Sequence, residues 1–122
     1  SREEYLNALR TFDLKTAFPD LDSRCYNIHV DPFLHNRVWF ITRPLGTHKG
    51  PLLGKKPTGK VVDVPPTMNS LVFNEDGKVQ ELTIGYPMDR RLGNTGGLSG
   101  AFGFFHAVGI KLPFREGQPF KP

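Results

Sequence analysis

Four histidines and a single cysteine are the side chains of this chain best suited to moving protons or holding a metal. His48 sits in a loop, Gly46-Thr47-His48-Lys49-Gly50. A loop imidazole can hydrogen-bond a substrate or shuttle a proton near neutral pH; it can equally cap a turn. His29 lies in an alternating segment, on the face it shares with Cys25 and Asn27. There it lines a pocket or serves as a hydrogen-bonded structural residue. His35 falls in a turn and His106 in an apolar tail, and both read as structural. No two histidines have the His-x-His or i, i+4 spacing, with carboxylates, that a metal site uses, so no metal and no cofactor is expected. Cys25 alone makes neither an intrachain disulfide nor a thiolate site. It is expected to pack as a small apolar residue, which favours a reducing, soluble compartment without naming one. Ser70 and Ser99 stand in no nucleophile motif, and the run Gly93 to Gly100 lacks the Lys-Ser/Thr ending of a phosphate loop. Asp89 is followed by Arg90 and Arg91, so an ion pair with one of these or with Arg43 is its simplest state.

The elements that position these residues follow from periodicity. Tyr5, Leu9 and Phe12, widened by Leu6 and Leu14, form an apolar stripe that predicts a helix over 2–17, capped by Ser1 and stopped at Pro19. Residues 24–31 read as a strand with Tyr26, Ile28 and Val30 on one face. Arg37 to Thr42 is a second strand; Val38 and Phe40 oppose Trp39 and Ile41, and two apolar faces place it centrally. Pro44 to Lys60 reads as one long connection. A third strand starts at Val61, is interrupted at Pro65-Pro66, and resumes through Ser70 to Phe73. Asn74-Glu75-Asp76-Gly77 is a hairpin turn. The fourth strand runs from Lys78 to about Met88, with Leu82, Ile84 and Tyr86 on one face and Val79, Glu81 and Thr83 on the other. Gly93 to Gly97 reads as a flexible link. Leu98 to Ile110 is apolar and Gly-rich, a poor helix unless docked. The chain therefore divides into an α+β domain, 1–92, and a Gly/Phe-rich extension, 93–122.

Composition bounds the partners. At 122 residues the chain makes one domain, and its ten Phe offset a modest apolar content of 38%. The net charge of +4 gathers around Lys49, Lys55, Lys56 and Lys60, and around Arg90 and Arg91. These read as solvated loops, and without interleaved aromatics no nucleic-acid partner is expected. No apolar run approaches the roughly 18 residues of a membrane span, and Ser1-Arg2-Glu3-Glu4 does not read as a signal peptide.

From Ala17 to Asp89 the sequence resembles the SnoaL-like, polyketide cyclase-like branch of the NTF2-like superfamily. The pieces stand in order: Ala17-Phe18-Pro19-Asp20-Leu21, then Gly46-Thr47-His48-Lys49-Gly50-Pro51 with Leu53-Gly54, then Pro57-Thr58-Gly59-Lys60, then Asp76-Gly77-Lys78-Val79 with Glu81. The resemblance implies a cone-shaped α+β fold, a curved antiparallel sheet of about four long strands on a short N-terminal helix, with an apolar pocket. It implies isomerase- or cyclase-type acid–base chemistry on an apolar carbonyl compound. Asp89, near the end of the last long strand, would be the acid/base, its pKa raised by an apolar cavity, with His48 as partner. Trp39, Tyr86, Met88 and His29 would line the pocket, while Phe40 would pack in the core. Fewer residues precede Phe18 than in the family, and the tail is longer. Those departures imply the alternative: a non-catalytic accessory subunit docking on a protein partner through its C-terminal extension, or a homodimer.

Overall fold

The computed structural model describes residues 14–111. The element order is α1 (Leu14–Ala17), β1 (Tyr26–Val30), β2 (Arg37–Thr42), β3 (Leu45–Thr47), β4 (Val61–Asp63), β5 (Thr67–Phe73), β6 (Val79–Pro87) and α2 (Gly100–Ala107). The fold is α+β. Most of the helix expected over 2–17 lies outside the described residues; its last turn is α1.

Four strands form one antiparallel sheet in the order β1-β2-β5-β6, and β3 pairs with β4 in a second, two-stranded sheet. The central place of β2 is the one its two apolar faces predict. Residues opposite each other on neighbouring antiparallel strands share a face. Val30, Val38, Leu71 and Leu82 therefore form one row across the sheet, and Phe40, Asn69 and Ile84 the next row on that same face. The other face carries the row His29, Trp39, Ser70, Thr83. Arg37 lies over the Trp39 ring, 5.4 Å from its centroid, and donates to Ser70 Oγ at 2.7 Å. Trp39 Nε1 donates to Asp31 Oδ2 at 2.6 Å. One face of the sheet is thus apolar and the other largely polar and aromatic.

Several expectations are corrected. The connection from Pro44 to Lys60 contains β3, whose three residues pair with Val61–Asp63. The strand expected through Pro65-Pro66 is two strands in two sheets. Proline cannot donate to a ladder, and here the prolines mark a switch between sheets. In β1, Asn27 takes φ 55° and the register shifts between Tyr26 and His29, so these two share a face that simple alternation would split. A shift between Thr67 and Asn69 does the same to β6. Gly85 and Tyr86 lie at that irregularity, and Tyr86 is 91% exposed rather than aligned with Leu82 and Ile84. Cys25 is exposed, not packed.

The main core lies outside the four-stranded sheet. Ala17, Phe18, Leu52, Val62, Val64, Phe104, Phe105, Ala107 and Val108 make one buried cluster. It joins the end of α1, the loop after β3, β4 and α2. The run 93–97 is no loose link: Asn94 Nδ2 donates to Val61 O at 2.7 Å, and Asn94 Oδ1 accepts from Asp63 N at 2.8 Å. Thr95 is fully buried and donates to Leu98 O at 2.6 Å. The boundary drawn at 92/93 is therefore no boundary in packing, because α2 supplies the middle of the core that Phe18 completes.

Candidate functional site

A pocket of about 260 Å³ opens on the apolar face of the large sheet. Phe40, Leu82, Ile84 and Pro44 give it apolar walls; Ser23, Thr42, Thr67 and Asn69 give it polar atoms, and Gly100 closes one side. Three strands set these residues. Phe40 and Thr42 alternate inward along β2, Thr67 and Asn69 along β5, Leu82 and Ile84 along β6. Leu82 and Ile84 are 57% and 59% exposed, so the wall on the β6 side is open to solvent. Thr67 and Asn69 beside them are buried. A few polar groups set into an apolar hollow is the common composition of a small-molecule site.

The residues expected to line a pocket are not gathered here. His29 and Trp39 are cross-strand partners on the opposite face, where His29 Nδ1 meets Asn27 O at 2.9 Å. Tyr86 borders a separate depression with Pro87, Leu98 and Phe102. Met88 is 56% exposed. Phe40, read from the sequence as a packing residue, is the aromatic wall of the pocket instead.

Asp89 sits just past β6. Its Oδ1 accepts from Arg91 Nε at 3.0 Å and from the Arg91 backbone N–H, and its Oδ2 from Arg91 Nη2 at 3.0 Å. These hydrogen bonds from Arg91, side chain first and backbone second, hold the Asp89 carboxyl below the usual aspartate range. The raised pKa that an apolar cavity would cause is therefore corrected: Asp89 is a half-buried, paired carboxylate.

His48 is fully buried, against the core residue Phe18, and is not among the pocket's lining residues. Its ring stacks on Phe18 with centroids 5.4 Å apart and planes at 27°. The backbone N–H of Thr58 donates to Nδ1 at 3.2 Å, which fixes Nδ1 as the acceptor and leaves the proton on Nε2. Among the described residues Nε2 has no partner at full hydrogen-bond geometry. Burial lowers the pKa from the ordinary 6.5; the Gly50 backbone partly offsets this and the charge of Lys55 adds to it, so the neutral ring is the folded form. A group with a depressed folded pKa stabilises the fold above its unfolded pKa, and that stability is lost as pH falls through the folded value. The urea midpoint should accordingly fall as pH drops from 7 to 5, by no more than about 1.4 kcal/mol of stability per pH unit. The paired aspartates titrate lower and do not enter that window. A His48→Gln variant should flatten the profile between pH 7 and 5; an unchanged slope would remove His48 as its cause.

The buried Asn69, Thr42 and Thr67 were missed from the sequence. Their signal is a pair of polar residues on the inward face of β5, opposite Phe40 and Thr42 of the central strand. Among the described residues no helix is long and apolar enough to cross a membrane.

No family model and no curated protein matches the chain. Solved structures do. A protein described as a SnoaL-like polyketide cyclase from Jannaschia sp. CCS1 is 29% identical, with a TM-score of 0.48, over 68% of this chain and 51% of its own. AclR, described as a hydroxylase from Streptomyces galilaeus, is 28% identical, with a TM-score of 0.49, over 70% of this chain and 60% of its own. The chain thus spans between half and three-fifths of these two proteins.

Proposed function

We propose that this domain binds a small, largely apolar molecule in the pocket formed by Phe40, Leu82, Ile84 and Pro44. The observation that carries this reading is the placement of Asn69 and Thr67, at 4% and 2% exposure, beside an apolar wall that is itself open. Exposed apolar side chains beside buried polar atoms gain on both counts when a ligand covers them.

Binding, rather than isomerase- or cyclase-type chemistry, is the reading taken. Acid–base catalysis needs an ionisable group within hydrogen-bond reach of the substrate. Among the described residues none that lines the pocket is ionisable. Asp89 is committed to Arg91, and His48 is enclosed against Phe18. Docking of a partner through the extension has less to use, because Phe104 and Phe105 are buried within this chain.

The test uses naphthalene-sized probes, 2-naphthol and 2-methoxynaphthalene, titrated by calorimetry. Ile84→Arg puts a charge on an exposed position of the wall, so the urea midpoint should hold while affinity for both probes falls about tenfold or more. Asp89→Asn should leave affinity within about twofold. Loss of binding in Asp89→Asn with Ile84→Arg unaffected would move the site to the end of β6 and sink the proposal.

A further inference from the structure

We infer that the ligand of this pocket is electrically neutral and presents a hydroxyl group to Asn69 and Thr42; this rests on the binding reading above and narrows it to a class of molecule.

The inference follows from counting donors and acceptors. Asn69 Nδ2 donates to the Thr67 backbone carbonyl at 3.1 Å and to Thr42 Oγ1 at 2.9 Å. A main-chain carbonyl only accepts, so the amide cannot be turned over: nitrogen must face Thr67, and both of its protons are used. Asn69 Oδ1 is left with no partner among the described residues. The side-chain atoms there that are both sealed and unpartnered are Arg43 Nε and His48 Nε2, so Oδ1 keeps accessible surface, and Asn69 lines the pocket. Oδ1 asks for a donor. Thr42 Oγ1 accepts from Asn69 and donates to no other group, so its own proton remains to be given. Thr67 Oγ1 has already given its proton to Pro65 O at 3.0 Å and can only accept.

Asn69 Oδ1 and Thr42 Oγ1 therefore set one acceptor beside one donor, with Thr67 Oγ1 as a further acceptor and the Ser23 hydroxyl able to serve as either. A hydroxyl satisfies both, donating to Asn69 Oδ1 and accepting from Thr42. A ketone or an ether accepts from Thr42 but leaves Oδ1 facing an apolar group. A carboxylate does the same and also brings a charge. Among the described residues no lysine, arginine or histidine lines the pocket to balance that charge. Desolvating an ion without a counter-charge costs more than one hydrogen bond returns.

Three probes of one shape separate these cases: 2-naphthol, 2-methoxynaphthalene and 2-naphthoate, titrated by calorimetry at neutral pH. The naphthol should bind about tenfold tighter than the methyl ether, the effect of one net hydrogen bond in a half-open site. The naphthoate should bind weakest. In Thr42→Val the naphthol should weaken towards the ether while the ether is unchanged. The comparison of ligands on the unaltered protein needs no variant to fold. Equal affinity for naphthol and ether, or tighter binding of the naphthoate, overturns the inference and leaves the pocket standing. Failure of all three to bind overturns both.

Discussion

Phe18→Ala should remove about 3–5 kcal/mol of stability, the cost of deleting a large aromatic side chain from a closed core. Against the roughly 5–15 kcal/mol that holds a domain of this size together, that leaves a molecule marginally folded. Phe18 has no exposed surface. One of its neighbours is His48, stacked on it; another is Phe104, whose ring centroid lies 4.6 Å away at an interplanar angle of 60°. Sequence separates Phe18 and Phe104 by most of the chain, so their contact ties the end of α1 to α2. Phe104→Ala should cost a similar amount. The double variant should fall short of the sum by about 0.5–1.5 kcal/mol, the usual coupling of an aromatic pair in contact. Urea unfolding of the four proteins gives the cycle. If Phe104→Ala costs less than about 1 kcal/mol, α2 is no part of the core, and the extension returns to being a surface for partners.

The same contact explains what the sequence disclosed and what it hid. Strands β2, β5 and β6 are legible because alternation and the Asn74–Gly77 turn act locally: Asn74 N donates to Lys78 O at 2.8 Å, and Gly77 takes φ 76°. β3 is not legible. Leu45-Gly46-Thr47 has no propensity of its own and becomes a strand because β4 and an isolated bridge to Asp22 pair with it. Apolar content marks α2, but its glycines disguise it. Gly103 permits the approach of Leu98 O, which would lie 2.6 Å from a Cβ there, a packing reason that no periodicity reveals. The site was half legible. Phe40, Leu82 and Ile84 were recognised as residues of alternating faces. Which face forms a pocket depended on where the core lies, and the core turned out to belong to α1, β4 and α2. The shift at Asn27 put Tyr26 on the face of His29, and the shift at Gly85-Tyr86 took Tyr86 out of line with Leu82 and Ile84, neither of which alternation gives. Asp89, beyond the second shift, could not be aimed from the sequence at all.

Gly93→Ala should be the second severe substitution, with an expected loss of about 3 kcal/mol or more. Three effects combine. Gly93 takes φ 74°, where an alanine pays roughly 1–2 kcal/mol. A Cβ there would also meet Asp63 O at 2.1 Å, with Pro65 N at 3.2 Å, and both are backbone atoms that cannot step aside alone. Moving the chain away breaks the seat of Asn94, which bonds the edge of β4 through Asn94 N to Asp63 O at 2.9 Å and through both ends of its side-chain amide. Each such bond is worth about 1 kcal/mol net. Gly54→Ala supplies the control, because Gly54 has a similar φ of 79° and no atom within 4 Å of the new Cβ. Its cost should be the conformational part alone, about 1 kcal/mol. The difference between the two variants in urea measures the docking of residues 93–97 against β4. It should also register in the pocket, because Asp63 precedes the Pro65-Pro66 switch that delivers Thr67 and Asn69 to their places beside Ile84. Equal losses for Gly93→Ala and Gly54→Ala would mean that the run is the loose link its glycines imply, and that nothing beyond β6 helps to set the pocket floor.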